Sequence, residues 1–436
     1  MSDSRIVVVG TTSDYIDHIR RNYPGRALFI TDPQERARAA EAVPESYEEV
    51  LTGLNNFNHV LETLRQHLNL YGMKPAGVAC YDCESLGLSA YLARKLGLMF
   101  PSENSIKLSR NKFFSKNLWQ QAGLPCPAVI LVRDLSDMLQ FMDKIGKPLI
   151  IKPLTGAGSE LVFKCSDHDD CRKAFETIKS QMITRRKLRL YHSEDIKSAG
   201  VKPLKEFAAE EFVEGTEYSC DFMIETDRLE IFRIARKINA HDQSPGTVMA
   251  YVVPAGLPDN IDYEQFKLLL ANAAHIMGLK HAVCMVDFIV HQDNICLLEI
   301  TPRPGGDCLP RLISYSFGLD MIGLALDFAE GKPVFIPEAL HREAFVGLRI
   351  LAKCSGIIRS IDEHAIVRDS RVRECHILRS TGHKVIFPPD DYESRLLGYV
   401  IFKPASSECI EQECLEIESK LVVDMEDSPW KSMQAH

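Results

Sequence analysis

The 436-residue sequence has no long hydrophobic run and no excess of positive charge. Its most apolar stretch, residues 271–290, is interrupted by His275, Lys280, His281 and Asp287, which excludes a membrane-spanning helix there. Lys and Arg number 51 against 60 Asp and Glu, so the formal net charge is −9. A general nucleic-acid binder needs a positive excess to displace counterions from phosphates, so no nucleic-acid partner is expected. A local basic cleft for a small phosphate ligand remains compatible with this balance.

The N-terminus also lacks a secretory signal, because the apolar run at residues 6–9 is too short. The 13 cysteines are scattered rather than clustered as in a disulfide-rich secreted domain. These absences predict a reduced, cytoplasmic protein without a membrane partner. One CxxC pair, Cys80 and Cys83, has no second pair at zinc spacing, so we favour a structural role over a redox or metal role.

The composition, 45% hydrophobic and 25% charged, is that of a globular chain and excludes a disordered one. The length predicts two to four domains, at roughly 100–200 residues per domain. Strand and helix patterns alternate over residues 1–104 and predict an α/β layer domain. A central α+β module is expected over residues 105–335, with a lid subdomain at about 140–213, and a small α+β domain over residues 336–436. The spacing GxGxxG is missing after Gly10, so bound NAD is not expected.

Two lysines and a glycine-rich turn suggest a phosphate site. A predicted strand ends at Lys152 and is followed by a turn that contains Gly156, Gly158 and Ser159. Glycines let the backbone approach a phosphate, and backbone N–H groups can bind its oxygens. The alternative is a plain hairpin turn. Lys112 opens a predicted helix and gains meaning only if it converges with Lys152; otherwise it is a solvated surface charge. Residues 179–205 are basic, and an exposed helix and loop is favoured there over a lid near a phosphate.

An acidic segment at residues 210–217 surrounds a short apolar strand. Adenine needs an acceptor for its exocyclic amine and backbone groups for its ring edge, which Glu210, Glu211 and the backbone through Phe212 to Val213 can supply. Glu217 is then available for ribose hydroxyls. An acidic edge strand is the competing interpretation.

Two carboxylates inside apolar strands are the most informative feature. Asp287 and Glu299 occupy two strands of a predicted hairpin, where an unpaired charge is costly. If the loop is residues 292–294, with Asn294 in the left-handed conformation, the two residues face each other with Cβ atoms roughly 5 Å apart. Two such carboxylates repel unless a cation or proton intervenes, and hard oxygen ligands near a phosphate favour Mg²⁺. A four-residue loop would instead place them on opposite faces. Arg303 could stabilise charge on a transferring phosphoryl group.

With these residues in this order, the chain resembles the ATP-grasp superfamily of carboxylate–amine ligases over about residues 1–335. Within it, the stretch that begins at Thr301 and contains Arg303 is most similar to the L-amino-acid (dipeptide-forming) ligases. The resemblance implies the following roles: α- and β-phosphate binding by Lys112 and Lys152; phosphate covering by Gly156, Gly158 and Ser159; adenine recognition by Glu210, Glu211 and Val213; ribose contact by Glu217; magnesium binding by Asp287 and Glu299; and stabilisation of the acyl-phosphate step by Arg303.

Four positions qualify this resemblance. Asp287 stands where glutamate is commoner, and Thr301 stands where many members carry a metal-binding asparagine, so a second magnesium ion is in question. Lys237 is a weaker candidate for a γ-phosphate contact. Arg311 is a candidate for a substrate carboxylate, with a helix surface charge as the favoured alternative.

The resemblance implies an enzyme that uses ATP with one or two Mg²⁺ ions, or Mn²⁺, and joins a small carboxylic acid to an amine through an acyl phosphate. Amino acids are the expected substrates, and ADP and phosphate the expected by-products. Two other functions stay open: a different ATP-grasp enzyme, such as a purine-pathway ligase or a carboxylase that uses bicarbonate, and an ATP-binding protein without turnover. The oligomeric state is also open, with a homodimer as the arrangement suggested by analogy.

Overall fold

The structure is a computed structural model. It describes residues 3–39, 41–192, 201–226, 228–240, 245–336 and 343–426. The strands are β1 Asp3–Val9, β2 Ala27–Thr31, β3 Glu49–Leu51, β4 Met73–Ala79, β5 Val129–Val132, β6 Leu149–Pro153, β7 Phe163–Cys165, β8 Phe207–Glu211, β9 Thr216–Glu225, β10 Arg228–Asn239, β11 Val248–Val253, β12 His281–His291, β13 Asn294–Thr301, β14 Phe345–Leu351, β15 Gly356–Asp362, β16 Val372–Ile377, β17 Lys384–Val385, β18 Leu396–Phe402 and β19 Val422–Glu426. The α-helices are α1 Ser13–Asn22, α2 Pro33–Arg38, α3 Phe57–Leu70, α4 Leu86–Leu96, α5 Glu103–Arg110, α6 Lys112–Gln121, α7 Leu135–Ile145, α8 His168–Thr184, α9 Arg189–His192, α10 Tyr263–Ile276, α11 Leu309–Phe317, α12 Met321–Ala329, α13 His364–Val367 and α14 Ile410–Glu418.

The N-terminal unit is a four-stranded sheet in the order β3-β2-β1-β4, with β1 paired in parallel to both β2 and β4. Residues 6–9 of β1 are fully buried, as expected for a β-branched run in a parallel sheet covered on both faces. Helices alternate with the strands, so the α/β layer arrangement predicted for this part of the chain is confirmed.

The small sheet of the central module has the order β5-β8-β6-β7, with α7 and α8 packed on it. It includes Val129–Val132, so a subdomain built on this sheet starts about ten residues before the expected position 140. The basic segment 179–205 lies here in part: α8 ends at Thr184, a 3₁₀ turn covers Arg185–Lys187, and α9 follows. Residues 193–200 of that segment lie outside the described residues.

The large sheet has eight strands in the order β13-β12-β9-β10-β11-β14-β18-β16. Its last three strands come from the C-terminal part of the chain, so the central and C-terminal parts share one continuous sheet rather than forming separate layers. The expected boundary near residue 336 falls between two parts of the chain that contribute strands to this same sheet, and residues 337–342 lie outside the described ones. A three-stranded sheet, β17-β15-β19, completes the C-terminal part.

Two helices, Leu309–Phe317 and Met321–Ala329, follow the β12–β13 hairpin and are separated at Gly318, which is in a left-handed conformation. Within the described part of the chain, no single helix is long and apolar enough to cross a membrane; only these two helices, taken together and bent by 102°, meet that criterion.

All 13 cysteines are free thiols.

The N-terminal sheet is attached to the large sheet through α12. Arg26 binds Asp327 at 2.8 Å and Glu330 at 2.7 Å, while backbone contact is closest at Gly77 of β4. A Cβ on Gly77 would lie 2.0 Å from the Ala329 carbonyl oxygen, so glycine is required for this approach.

We predict that Gly77→Ala forces the N-terminal sheet away from α12 and lowers the free energy of unfolding by about 1–3 kcal/mol, the usual cost of overpacking. Thermal or urea unfolding measures this change. Gly53→Ala is the matched control, because a Cβ there would meet nothing within 4 Å. Equal stabilities of the two variants would contradict the described packing.

Candidate functional site

One cavity of about 710 Å³ lies between the small sheet and the large sheet. The residues predicted for nucleotide and metal binding that line it are Lys112, Lys152, Gly156, Gly158, Ser159, Glu210, Glu211, Phe212, Val213, Glu217, Lys237, Asp287 and Glu299. Segments up to 187 residues apart in the chain thus converge on one space. Of the predicted residues, Arg303 and Arg311 lie outside its lining.

Lys112 contacts the glycine-rich turn that follows Lys152. The convergence that the sequence alone left open is therefore present in the structure. It is the first residue of α6, whose N-cap Asn111 accepts hydrogen bonds from the first-turn amides. Its Nζ donates to the Gly156 carbonyl at 3.1 Å and lies 3.2 Å from Glu299 Oε2. A single ammonium group therefore connects the phosphate turn with one of the two carboxylates of the hairpin.

Lys152 belongs to a buried cluster of two lysines and one glutamate. Glu210 Oε2 lies 2.8 Å from Lys152 Nζ, and Glu210 Oε1 lies 3.0 Å from Lys116 Nζ. Burial raises the pKa of Glu210, but the two lysine charges outweigh it and the pKa is lowered. Burial also lowers the pKa of Lys152 to about 8, despite the attraction of Glu210. The cluster carries a net positive charge, which suits an anionic ligand in the adjoining cavity.

The glycine-rich turn is shaped by two consecutive left-handed residues, Gly158 at φ 64° and Ser159 at φ 59°. A non-glycine residue is uncommon in that region and needs support from its surroundings. The support is a hydrogen bond of 2.7 Å from Ser159 Oγ to the carbonyl of Gly246, which precedes β11. The turn is thereby attached to the large sheet as well as to the small one.

Glu160, the next residue, fixes the far side of the turn. Its carboxylate accepts hydrogen bonds from Arg185 and from the Tyr191 hydroxyl. Arg185 also donates to the Pro389 carbonyl at 2.8 Å, so the C-terminal part of the chain contributes to holding the turn. Sequence reasoning did not identify this link, because its members are scattered over more than 200 positions.

The segment predicted to read adenine has its carboxylates engaged elsewhere. Glu210 is bound by lysines, and Glu211 Oε1 accepts from Lys147 Nζ at 2.8 Å on the outer side. Their side chains are therefore poorly suited to the adenine amine. The Glu211 and Phe212 amides donate to the Ala128 and Pro148 carbonyls, so a base would have to use the other backbone groups of residues 211–213, which line the cavity. Lys164 Nζ makes a cation–π contact with the Phe212 ring, 3.8 Å from its centroid.

Asp287 and Glu299 are directly opposite in the β12–β13 ladder, as predicted, but the loop between the strands is not the predicted one. It has two residues, Gln292 and Asp293, both at positive φ (43° and 69°), and Asn294 already belongs to β13. A two-residue loop alone would shift the register by one position. A β-bulge at Leu298 restores it, because Phe288 pairs with Leu297 while Asp287 pairs with Glu299.

Lysines compensate this carboxylate pair. Lys237 Nζ lies 2.8 Å from Asp287 Oδ1 and 2.7 Å from Glu217 Oε1, and Asn239 Nδ2 also donates to Glu217 at 3.1 Å. Burial raises the pKa of Asp287 in spite of Lys237, whereas the charges of Lys112 and other lysines outweigh burial and lower the pKa of Glu299. Lysines thus offset two like charges that would otherwise repel strongly.

The carboxylate pair is suited to a hard divalent cation. Asp287 Oδ1 is buried and accepts no hydrogen bond of good geometry within the described residues, although it is close to Lys237. Among the residues that the structure describes, there is no group of three or more His, Cys, Asp and Glu side chains that could hold a metal. A Mg²⁺ ion bound by these two residues would therefore complete its coordination with phosphate oxygens and water, as is usual for this ion.

Arg303 lies beyond the cavity, where the N-terminal unit meets the large sheet. Its Nε donates to Cys83 Sγ at 3.1 Å and its Nη1 to the Pro304 carbonyl at 2.6 Å. Arg311 is bound by Glu374 of β16, with Nη2 to Oε2 at 2.7 Å. The structure thus places Arg311 in an ion pair on the C-terminal strands and not beside the nucleotide residues.

Sequence reasoning missed several residues of the site. Lys116, fully buried between Glu210 and the Leu298 carbonyl, follows Lys112 by one helical turn, and that i, i+4 spacing was the available signal. Cys83 belongs to the CxxC pair, which offered no hint of contact with Arg303.

Comparisons with known proteins agree with this geometry. Residues 145–311 match the ATP-grasp domain family. The L-amino acid ligase of Bacillus licheniformis has a similar structure, with a TM-score of 0.76, 18% identity, and coverage of 98% of this chain and 100% of that chain. An uncharacterised protein of Sinorhizobium fredii, y4rH, is 23% identical over 349 residues, which are 80% of this chain and 67% of that protein. D-alanine–D-alanine ligase B of Chromobacterium violaceum is 28% identical over 202 residues, 45% of this chain, and the match spans 58% of the relative.

The chain therefore contains an ATP-grasp domain and has the mixed α/β fold of ATP-grasp proteins. The predicted resemblance to the ATP-grasp carboxylate–amine ligases, and among them to an L-amino acid ligase, is confirmed.

We predict that ATP affinity falls as the pH rises through about 8, the pKa to which burial lowers Lys152. Below that pH the ammonium is charged and attracts phosphate oxygens; above it the free protein loses the charge, and the dissociation constant rises by up to about tenfold per pH unit. Calorimetric titration with ATP between pH 7 and 9.5 measures this dependence.

Lys152→Ala should weaken ATP binding at pH 7 by about 10–100-fold, because a hydrogen bond to a charged group contributes about 1.5–3 kcal/mol. The same variant should lose the pH dependence. Lys173→Ala, which removes an exposed lysine of α8, is the control and should behave like the unchanged protein. An ATP dissociation constant that Lys152→Ala leaves unchanged at pH 7 would exclude Lys152 from phosphate binding.

Proposed function

We propose that this ATP-grasp protein is an ATP-dependent carboxylate–amine ligase, which forms an amide bond through an acyl phosphate and releases ADP and phosphate. The observation that carries the proposal is the pairing of Asp287 with Glu299 across one ladder, in the same cavity as Lys112 and Lys152. Two hard carboxylates beside two ammonium groups suit a nucleotide polyphosphate and its divalent cation.

The nucleotide would lie along the cavity with its base at the small sheet. The backbone of residues 211–213, apart from the engaged amides of Glu211 and Phe212, is suited to the adenine edge. Glu217 is suited to ribose, and Lys112 and Lys152 to the α- and β-phosphates. The turn that contains Gly158 and Ser159 would cover the phosphates. Lys237, which faces Asp287, is suited to the γ-phosphate.

In the first step an oxygen of the substrate carboxylate attacks the γ-phosphorus, the bond to the β–γ bridging oxygen breaks, and ADP leaves. In the second step the amine attacks the acyl carbon, loses a proton, and phosphate leaves. Mg²⁺ held by Asp287 and Glu299 would supply electrostatic stabilisation of the phosphate oxygens. Arg303, which is held beyond the cavity by Cys83 and the Pro304 carbonyl, would offset charge on the acyl-phosphate side from that position.

Closure of the cavity would protect the acyl phosphate from water. The contacts of Ser159 with Gly246 and of Glu160 with Arg185 support such a closed arrangement. We propose amino acids as substrates, with Mn²⁺ able to replace Mg²⁺. One Mg²⁺ is expected, and a second is less favoured because Thr301 offers no carboxylate or amide oxygen from its side chain.

The decisive experiment measures phosphate release from ATP and Mg²⁺ with pools of amino acids and small carboxylic acids, followed by mass analysis of the products. The expected result is release that requires both an acid and an amine, with a product mass equal to their sum minus water. Release that requires bicarbonate alone would contradict the proposal and favour a carboxylase. ATP binding without release from any pool would contradict turnover.

We further predict that Glu299→Gln lowers Mg²⁺-dependent turnover by at least about 10–100-fold, the loss seen when even a supporting partner of a metal ligand is removed. Gln is of the same size, so the packing is kept, but the unfolding temperature should fall because the ion pair with Lys112 is lost. Asp293→Asn at the exposed turn of the same hairpin is the control, since asparagine tolerates the left-handed conformation found there. Undiminished turnover of Glu299→Gln would remove this residue from the metal site.

A further inference from the structure

A fully buried ion pair lies beneath the loop that carries Arg303. Asp221 of β9 and Arg233 of β10 are direct partners in the antiparallel ladder, and both side chains are 0% exposed. Arg233 Nε donates to Asp221 Oδ2 at 2.9 Å, and Arg233 Nη1 donates to Ser219 Oγ at 2.7 Å and to the Ser219 carbonyl at 2.9 Å. The pair is thus firmly held within its own two strands.

Stability alone does not explain a fully buried pair. Removing two charges from water is costly, and hydrophobic residues of similar volume are often as stable or more stable at such positions. The pair does, however, make one hydrogen bond beyond its strands: the Gly305 amide donates to Asp221 Oδ1 at 3.0 Å. Gly305 is two residues from Arg303.

The loop rests directly on the pair. A Cβ on Gly305 would lie 2.7 Å from Arg233 Nη2 and 3.1 Å from Asp221 Oδ2, so no other residue permits this approach. The neighbouring Gly306 has more room, since its Cβ would be 3.8 Å from the nearest atom, Arg303 Nη1. The position of the loop is therefore determined at Gly305.

The same pair is connected to the metal carboxylates. Ser219, which accepts two hydrogen bonds from Arg233, is the direct ladder partner of Asp287. Arg233 therefore links the strand beside Asp287 with the loop of Arg303 through its buried contacts with Ser219 and Asp221.

We propose that Asp221 and Arg233 are positioning residues that fix Arg303 relative to the carboxylates of Asp287 and Glu299. This inference rests on the proposed function, in which Arg303 acts on the acyl-phosphate side while the carboxylates bind the cation. Displacement of a reacting group by about 1 Å can cost about 100-fold in rate, so the pair controls the chemical step without touching substrate.

The first test replaces both charges, Asp221→Leu with Arg233→Met, so that no uncompensated buried charge remains. The expected result is a folded protein whose kcat for phosphate release is about 100-fold lower, with an unchanged dissociation constant for ATP. Arg36→Met with Glu49→Leu is the matched control, because it removes a buried pair of 7% and 3% exposure in the N-terminal unit. We expect that control to keep its kcat. If losing any buried ion pair were enough to lower kcat, the control would be slower as well.

The second test leaves the pair intact. Gly305→Ala should push the loop off Arg233 and lower kcat similarly, whereas Gly306→Ala should have a much smaller effect. Hydrogen–deuterium exchange of the peptide over residues 302–308 should be faster in the Leu/Met variant and in Gly305→Ala than in the unchanged protein.

These measurements separate the two proposals. Unchanged exchange in this peptide, or an unchanged kcat in the Leu/Met variant, would overturn the positioning role. Absence of product with the unchanged protein would count against the proposed function, and the exchange result would then decide by itself whether the pair holds the loop.

Discussion

The arrangement of the site depends on two like charges that a β-ladder forces to be neighbours. Asp287 and Glu299 are opposite each other on adjacent strands, where carboxylates repel and burial makes ionisation costly. Two lysines compensate these negative charges, Lys237 beside Asp287 and Lys112 beside Glu299. Because these lysines also face the cavity, the charges that neutralise the ladder are the same charges that an incoming polyphosphate would meet.

A shared charge network of this kind implies a choice between two states. Lys112 bridges Glu299 and the Gly156 carbonyl, so the lysine and the carboxylate satisfy each other. A divalent cation with its phosphates would take over both partners, since each carboxylate would meet the cation and each ammonium an anionic oxygen. Lys116 and Glu210 differ, because they are sealed away from solvent and serve as the fixed support of Lys152.

Thirteen residues of the cavity lining could be predicted from the sequence, because their segments have local signatures: a lysine at a helix start, glycines after a strand, carboxylates within apolar strands. The parallel N-terminal sheet was predictable for the same reason, from the β-branched run of residues 6–9. The surroundings of Arg303 were not predictable. Its contact Cys83 lies 220 positions away in the chain, and the pair formed by Asp221 and Arg233 looks in the sequence like two polar interruptions of ordinary strands. The shared eight-stranded sheet was also missed, because pairing of β11 with β14 joins parts of the chain that sequence patterns treat as separate domains.

The hairpin shows how a correct pairing can have a cause that the sequence does not reveal. The predicted three-residue loop would place Asp287 opposite Glu299 without irregularity, whereas the actual two-residue loop needs one extra residue in β13, Leu298. A residue in a bulge no longer takes part in the regular ladder, so its carbonyl is free to turn elsewhere. The Leu298 carbonyl accepts a hydrogen bond from Lys116, the buried lysine that supports Glu210. One inserted residue therefore sets the register of Asp287 and Glu299 and also attaches that strand to the cluster behind Lys152, so the carboxylate pair and the lysine cluster are held at a fixed separation by the same irregularity.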